Sequence, residues 1–293
     1  MERTMQSIRI NNIWFNQDYT WFSVATDSGF LVYNTHPLKR MVDRDIDGSL
    51  KSAMMLYRTN LLGLIGGGLS PKYSPTKLII WDDRNYCVTG ELTLMTKVKS
   101  FAFRRDYFAA VLEDKVMVFS LKDLELIRSY DTVTNLEGIV ALNTVETESA
   151  ILAIFGSKRG NAKVWFIENS EIDIEIECHQ TDIKYLALNP HGTILATASV
   201  KGTLIRIFET RNGSELIEVR RGSENATIQW IAFNSNSTYL ACTSDKGTAH
   251  MFSLYGSETD NLNTPDQYDS DENQHIRRES VLTVSDGTAP KNK

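Results

Sequence analysis

Short apolar segments that alternate with polar positions recur along almost the whole chain. They are separated by 48, 38, 46, 43 and 44 residues, near the roughly 40–45 residues of a four-stranded propeller blade. Most follow a second apolar segment and a polar turn, which is typical of antiparallel strands. The pattern predicts an all-β, WD40-like β-propeller with about six recognisable blades. The aromatic residues that end these segments are Tyr33, Trp81, Phe119, Trp165, Phe208 and Phe252.

The composition changes at Gly256. The segment 256–293 is rich in Asp, Glu, Ser, Thr and Asn and contains few apolar residues. Such a segment buries too little apolar surface to offset the entropy lost on ordering. We therefore expect a propeller over residues 1–255 and a disordered, polar and acidic tail over residues 256–293.

The overall charge excludes a general attraction to polyanions. The chain has 31 basic and 37 acidic residues and a net charge of −6, so any anion binding must be local, and we expect no nucleic-acid partner.

The three cysteines (Cys87, Cys178 and Cys242) are far apart and indicate reduced thiols without metal-type spacing. No apolar run approaches the ~18 residues of a membrane span, and the N-terminus lacks a secretion signal. These features favour a cytosolic protein.

Arg220 and Arg221 lie between two near-copies of one pattern. The copies read ILATASVKGTLIRIF and YLACTSDKGTAHMF, and each contains a Ser-x-Lys-Gly-Thr turn. Successive side chains of an extended segment point to opposite faces, so each arginine can serve a different unit. The guanidinium group suits phosphate oxygens. A lone basic pair is usually a solvated turn, but here the duplicated turns predict a paired anion-binding site.

Enzymatic motifs are not recognisable. The run Gly66-Gly67-Gly68 is followed by Leu69-Ser70-Pro71 and then a strand, whereas a nucleotide loop needs Gly-Lys-Ser/Thr at the start of a helix. The sequence shows no catalytic triad, metal-ligand spacing or paired carboxylates. We therefore expect a binding protein without catalytic residues, metal or cofactor.

The residues around the paired arginines resemble the PROPPIN family of phosphoinositide-binding, seven-bladed propellers of autophagy and endolysosomal membranes. The family signature is Phe/Leu-Arg-Arg-Gly, and Val219 takes its first position here. The segments WFNQDYTWFSVATDSGFLVYNTHPL and LIGGGLSPKYSPTKLIIWDD are similar to the branch typified by the two shorter human WIPI-type proteins. Beyond Leu254, the family's membrane-inserting loop and seventh blade are not recognisable, so both a closed and an open ring stay open at the level of sequence.

The resemblance assigns residues to two pockets. It also implies that Gly222 lets the backbone turn closely under a ligand. His179 has an alternative as the structural histidine of an ordinary WD blade, and His250 as a packed core residue. The fifth-blade pocket would contain Arg220 with His179, Ser199, Lys201 and Thr203, and the sixth-blade pocket Arg221 with Ser244, Lys246, Thr248 and His250.

Asn16 and Asp18 have two interpretations. Asn and Asp are common turn formers, and both residues lie in the polar segment Phe-Asn-Gln-Asp. In the resembling branch, the matching residues help to dock a large autophagy lipid-transfer protein. Both interpretations stay open at the level of sequence.

The resemblance implies a monomeric effector that binds phosphatidylinositol 3-phosphate or the 3,5-bisphosphate. Such an effector would recruit autophagy machinery to preautophagosomal, endosomal or vacuolar/lysosomal membranes from the cytosol. The alternative is a WD-repeat scaffold for proteins, with weak or lost lipid binding. An RNA-binding propeller that uses Arg-Arg-Gly is disfavoured by the acidic balance.

Overall fold

The protein is a β-propeller built from successive four-stranded sheets. The computed structural model describes residues 8–146, 148–254 and 278–283. In these ranges, 24 strands form six antiparallel sheets, each from four strands in chain order. The prediction of an all-β propeller with six blades is confirmed.

The strand bounds are as follows. The first three sheets are β1 (Ile10–Phe15), β2 (Trp21–Thr26), β3 (Gly29–Asn34), β4 (Lys39–Asp45); β5 (Leu50–Met55), β6 (Leu61–Gly66), β7 (Lys77–Asp82), β8 (Cys87–Thr93); and β9 (Ser100–Phe103), β10 (Tyr107–Val111), β11 (Lys115–Ser120), β12 (Leu126–Asp131). The last three are β13 (Ala141–Leu142), β14 (Ile151–Phe155), β15 (Asn161–Phe166), β16 (Ile174–Glu177); β17 (Ile183–Leu188), β18 (Ile194–Ser199), β19 (Leu204–Glu209), β20 (Glu215–Arg220); and β21 (Ile228–Phe233), β22 (Tyr239–Ser244), β23 (Thr248–Ser253), β24 (Arg278–Thr283). A 3-10 helix covers Ser170–Ile172.

The position of a strand within its sheet explains its sequence. The second and third strands pack against neighbouring sheets on both faces, so segments such as β6 and β14 are almost continuously buried. The fourth strands lie at the rim and alternate between exposed and half-buried positions, as in β4 and β8. The first strands line the central axis. Period-2 alternation therefore marks the outer strands, and apolar runs mark the middle ones.

Among the described residues, five hydrophobic clusters fill the spaces between consecutive sheets. One cluster joins the second and third sheets around Phe101, Phe103 and Phe108. Another joins the fifth and sixth sheets and includes Val219 and Cys242. Trp14 of the first sheet and Trp230 of the sixth have ring centroids 5.6 Å apart. In the described ranges, no helix has the length and apolar character needed to cross a membrane.

One strand comes from the segment 256–293, which was predicted to be a disordered tail. Residues 278–283 form β24, the outer strand of the sixth sheet, with Thr283 opposite Thr248 and Val281 opposite His250. Two features explain this strand: Val281 and Thr283 favour strands, and the edge of β23 offers unpaired backbone groups. The other residues of the predicted tail lie outside the described residues.

Candidate functional site

The first Ser-x-Lys-Gly-Thr turn connects β18 and β19 of the fifth sheet. Gly202 has a φ of +61° and its amide donates to the Ser199 carbonyl at 2.9 Å. A Cβ on Gly202 would lie 1.8 Å from the Ala226 carbonyl oxygen. Glycine is therefore required both by the backbone conformation and by the close passage of the chain at Ala226.

Arg220 and Arg221 differ sharply in exposure. Arg220 ends β20 opposite Leu204 and is exposed, whereas Arg221 is only 5% exposed. The Arg221 Nε donates to the Gly202 carbonyl at 2.6 Å, and its Nη2 donates to the Glu224 carbonyl. Arg221 thus holds the fifth-sheet turn against the segment that follows β20.

The face of the fifth sheet that carries Arg220 also carries Thr197 and Arg206. The strand pairs that define this face are Thr197 with Arg206, Arg206 with Glu218, and Leu204 with Arg220. Arg206 donates to the Cys178 carbonyl at 2.8 Å and pairs with Glu218 at 2.8 Å. Arg206 was not among the residues predicted from the sequence, although its place between Ile205 and Ile207 in β19 indicates a side chain on the opposite face from the core.

His179 lies beside this face. Its Nε2 is 3.0 Å from the Thr197 Oγ1. Burial, and then the charge of Arg206, lower the pKa of His179 to about 4. His179 is consequently neutral at pH 7, and its bond to Thr197 matches the structural alternative for this residue. Ser199 is buried at the end of β18, whereas Lys201 is exposed and Thr203 is half-buried.

The second turn connects β22 and β23 of the sixth sheet. Gly247 has a φ of +68°, and the Lys246 amide lies 3.4 Å from the Ser244 Oγ. Thr248 Oγ1 and His250 Nε2 are 3.0 Å apart. His250 is 5% exposed and stacks on Phe252 with a centroid distance of 6.4 Å. Lys246 is exposed and Ser244 buried, as their counterparts Lys201 and Ser199 are in the fifth sheet.

The segment after β20 physically connects the two turns. At its start, Arg221 bonds to Gly202, and the Ala226 amide donates to the Lys201 carbonyl at 3.0 Å. At its end, the Thr227 amide donates to the Asp245 carboxylate at 2.9 Å, and the Asp245 amide donates back to the Thr227 carbonyl at 3.1 Å. The paired basic turns are therefore parts of one hydrogen-bonded unit.

Gly222 lies in this connecting segment with open space around it. No atom lies within 4 Å of an added Cβ, in contrast to Gly202. The fold itself does not require a glycine at this position. An incoming group can approach the backbone here closely.

Asn16 and Asp18 lie in the turn between β1 and β2. Asn16 is 2% exposed: its Oδ1 accepts the Trp21 amide at 3.0 Å and its Nδ2 donates to the Tyr57 carbonyl at 3.2 Å. Asp18 is more open, and its Oδ1 accepts the Thr20 amide at 3.0 Å. Of the two residues, only Asp18 exposes its side chain to solvent.

The Asn16 turn recurs in two other sheets. Asn189 Oδ1 accepts the Ile194 amide at 3.0 Å, and Asn234 Oδ1 accepts the Tyr239 amide at 2.9 Å. Each of the three asparagines also bonds to a threonine four residues later. The recurring Asn-x-x-x-Thr in the sequence is the signal that identifies Asn16 as a turn former.

Gln17, between these two residues, connects three sheets. Its Nε2 donates to the Met55 carbonyl at 3.0 Å and to the Phe103 carbonyl at 3.1 Å, and its Oε1 accepts the Tyr57 amide at 2.6 Å. Gln17 could not be predicted from the sequence, because its partners are far away along the chain.

Potential metal ligands do not gather at one place in the described part of the chain. It contains no cluster of three or more His, Cys, Asp or Glu residues that could hold a metal ion. Burial raises the pKa of Cys178 to about 12, so this thiol is not a nucleophile at pH 7.

The fold defines the class of this protein as a WD40-like β-propeller, whose paired Ser-x-Lys-Gly-Thr turns are joined by an Arg-Arg-Gly segment. Comparison with known proteins identifies the family. The PROPPIN family model matches residues 10–270, and the chain belongs to this family, as its motifs indicated. PROPPIN propellers are binding and scaffold proteins rather than enzymes.

Relatives cover most of this chain. SVP1-like protein 2 of Schizosaccharomyces pombe is 36% identical over 85% of this chain and 68% of its own length. Autophagy-related protein 18e of Arabidopsis thaliana is 34% identical over 86% of this chain and 68% of its own length. The chain spans 56% of SVP1-like protein 2 from Neurospora crassa, at 35% identity over 83% of this chain.

Solved structures share the fold. Kluyveromyces lactis Hsv2 has a TM-score of 0.75 at 27% identity, covering 86% of this chain and 76% of its own. KlAtg21, solved in complex with the coiled-coil of AgAtg16, has a TM-score of 0.70 at 25% identity, covering 85% of this chain and 81% of its own.

Proposed function

We propose that this protein binds phosphoinositides on the cytosolic face of membranes and recruits autophagy machinery to them. Membership of the PROPPIN family and the autophagy-related relatives support this role in general. The structural observation that carries it is the single hydrogen-bonded unit of the Ser-x-Lys-Gly-Thr turns and the arginine segment. The lipids proposed are phosphatidylinositol 3-phosphate and the 3,5-bisphosphate, and the membranes are preautophagosomal, endosomal or vacuolar/lysosomal.

In the proposed mechanism, each turn contributes to one head-group pocket. Arg220, Lys201 and Thr203 supply exposed or half-buried donors at the fifth sheet, with Arg206 on the same face. Lys246 and Thr248 supply them at the sixth sheet. Two weak pockets on one rim bind two lipids, and the second binding event benefits from a high effective concentration. His179 is neutral at pH 7 because its pKa is lowered, so it contributes a hydrogen bond to the pocket and not a positive charge.

Arg221 takes an indirect part in this mechanism. Its side chain is held by the Gly202 and Glu224 carbonyls, so it orients the fifth-sheet turn and fixes the path of the segment toward Thr227. The charge of its guanidinium group still adds to the local positive field at the pockets.

Flotation with vesicles that differ only in phosphoinositide content tests the proposal. Arg220→Thr should reduce flotation with vesicles containing the 3-phosphate at least tenfold. Arg211→Thr is the matched control: it removes an equal charge from an exposed arginine between β19 and β20, at the opposite end of the sheet. Equal loss in both variants would indicate a general charge effect and contradict the head-group pocket. Flotation of the wild type that does not depend on phosphoinositide would contradict the function itself.

A second part of the proposal is protein docking at the first-sheet turn, with the autophagy lipid-transfer protein as partner. The exposed carboxylate of Asp18 supports it, and so does the structure of the related KlAtg21 with a coiled-coil partner. Asp18→Ala should weaken capture of the lipid-transfer protein and leave flotation unchanged. Asn236→Ala is the matched control, because Asn236 Oδ1 holds Thr238 in the sixth-sheet turn as Asp18 holds Thr20.

The two functions are separable in these assays. If the wild type captures the partner but does not float with phosphoinositide vesicles, the protein is a WD-repeat scaffold without lipid binding. If it floats but Asp18→Ala captures the partner normally, docking uses another surface.

A further inference from the structure

The two Ser-x-Lys-Gly-Thr turns differ at their second position. The fifth-sheet turn carries Val200 there and the sixth-sheet turn carries Asp245, and both residues are exposed. Backbone hydrogen bonds show that the two positions are equivalent: the Val200 amide donates to the Asp182 carbonyl at 2.9 Å, and the Asp245 amide donates to the Thr227 carbonyl at 3.1 Å. The lysine that follows is exposed in both turns. In the sixth-sheet turn, a carboxylate therefore lies next to the lysine, whereas in the fifth-sheet turn an apolar side chain does.

The carboxylate of Asp245 is fixed at its turn and keeps its charge. Its Oδ1 accepts the Thr227 amide at 2.9 Å, and within residues 8–146, 148–254 and 278–283 it forms no ion pair. The acidic residue beside the fifth-sheet turn, Asp182, is paired with Arg159 at 3.0 Å. Consecutive Cα atoms are about 3.8 Å apart, less than the Debye length of ~8 Å at physiological salt. Asp245 and Lys246 consequently act on the same anion at this turn.

The third strands of the two sheets differ in the same direction. Thr197 and Cys242 each lie two residues before the serine of their turn; Thr197 pairs with Arg206 on β19, and Cys242 pairs with His250 on β23. Arg206 is bound to Glu218 at 2.8 Å, but its guanidinium group is always charged. The fifth-sheet face thus has a permanent cation where the sixth-sheet face has an imidazole.

These differences bear on how many phosphates each pocket can take. A phosphate monoester carries about −1.5 to −2 charge at pH 7. Lys201 and Arg220 are exposed and unpaired with any acid of the described chain, so the fifth-sheet pocket can take this charge. We propose that Asp245 determines specificity: by repulsion it restricts the sixth-sheet pocket to the 3-phosphate head group, whereas the fifth-sheet pocket also accepts the 3,5-bisphosphate. This selectivity presupposes the phosphoinositide binding proposed above.

Isothermal titration of the full chain with soluble head groups tests the proposal, because single-pocket variants separate the two sites. Arg220→Ala disables the fifth-sheet pocket and reports on the sixth, and Lys246→Ala does the reverse. Inositol 1,3-bisphosphate represents the 3-phosphate lipid, and inositol 1,3,5-trisphosphate represents the 3,5-bisphosphate lipid. In Arg220→Ala, the bisphosphate should bind about tenfold more tightly than the trisphosphate, as one carboxylate beside one added phosphate in a partly solvated turn implies. In Lys246→Ala, the trisphosphate should bind at least as tightly as the bisphosphate.

Neutralisation of Asp245 tests the cause of this preference. Asp245→Asn, added to Arg220→Ala, removes the charge but keeps the Oδ1 that accepts the Thr227 amide, so the tenfold preference should disappear. Asp182→Asn in the same background is the matched control, because it removes an equal charge from an exposed acid beside the other turn; it should keep the preference. A preference that survives Asp245→Asn, or that Asp182→Asn removes equally, would overturn the proposal.

The reciprocal change provides an independent measurement. Val200→Asp, added to Lys246→Ala, places a carboxylate at the equivalent position of the fifth-sheet turn and should make the bisphosphate the tighter ligand there. It leaves the sixth-sheet turn intact, so it decides the question even if Asp245→Asn does not fold, and unchanged selectivity would contradict the role of this position. If the wild type binds neither head group, phosphoinositide binding fails and the selectivity with it. If it binds both and neither substitution changes the selectivity, only the role of Asp245 is refuted.

Discussion

Replacement of Arg221 with Ala should destabilise the fold, whereas the same change at Arg220 should not. The two side chains are neighbours with equal charge, but only Arg221 is buried. Truncation of Arg221 leaves the Gly202 and Glu224 carbonyls without their donors. This contrast separates a structural contribution from a binding one within a single dipeptide.

The magnitude follows from these bonds. A hydrogen bond to a charged group contributes about 1.5–3 kcal/mol, so the loss of two bonds gives at least about 3 kcal/mol. For a protein of this size, each kcal/mol lowers the melting temperature by about 2–4 °C, and Arg221→Ala should therefore melt about 6–12 °C below the wild type. Arg220→Ala, as an exposed substitution, should stay within about 0.5 kcal/mol.

Thermal unfolding monitored by circular dichroism gives the melting temperature of each variant. Flotation of each variant is measured at 20 °C, where both remain folded. Arg220→Ala should lose flotation without a change in melting temperature. Arg221→Ala should lose both, since the fifth-sheet turn is no longer held. A melting temperature for Arg221→Ala within about 2 °C of the wild type would refute the reasoning. Replacement of both arginines together is consequently a poor test of lipid binding alone.

Three further outcomes are expected from the same structure. Asn16→Ala and Asn234→Ala should each lower the free energy of unfolding by about 1–2 kcal/mol, as measured by urea titration, because they remove equivalent turn bonds; a loss confined to Asn16→Ala would contradict this equivalence. The pKa of His179 lies below its ordinary value, so the unfolded chain binds the extra proton and stability should fall as the pH drops from about 6.5 to about 4; His179→Gln should flatten that part of the pH–stability curve, and an unchanged slope would show that other groups cause it. Gly222→Val should retain the wild-type melting temperature but reduce binding of soluble inositol 1,3-bisphosphate, whereas Gly202→Ala should lower the melting temperature; full binding by Gly222→Val would show that no ligand approaches this backbone.

The strands could be predicted from the sequence because each sheet repeats the same burial pattern. Apolar runs such as Ile151–Phe155 are buried on both faces, and the polar turns between runs fix where strands end. β24 could not be found in this way. Its neighbours in sequence are polar, and its pairing with β23 depends on residues far away along the chain.

The candidate site could be predicted only in part, for a similar reason. Period-2 geometry places Arg220 and Arg221 in different environments, but the burial of Arg221 depends on the path of the chain through Glu224 and Ala226. That path is set by tertiary hydrogen bonds that no local pattern encodes. The structural role of Asn16, by contrast, was present in the sequence as a repeated Asn-x-x-x-Thr.

The pairing of β23 with β24 has a consequence for how this family can diversify. β23 ends at Ser253 and β24 begins at Arg278, so residues 254–277 join two adjacent strands that a turn of about 2–5 residues could connect. The entropic cost of closing a flexible connection grows slowly, by about 0.6 kcal/mol for each doubling of its length. Insertions and deletions between these strands therefore change the stability of the sixth sheet little. Evolution can vary the length and charge of this segment while the propeller that holds the second basic turn stays the same.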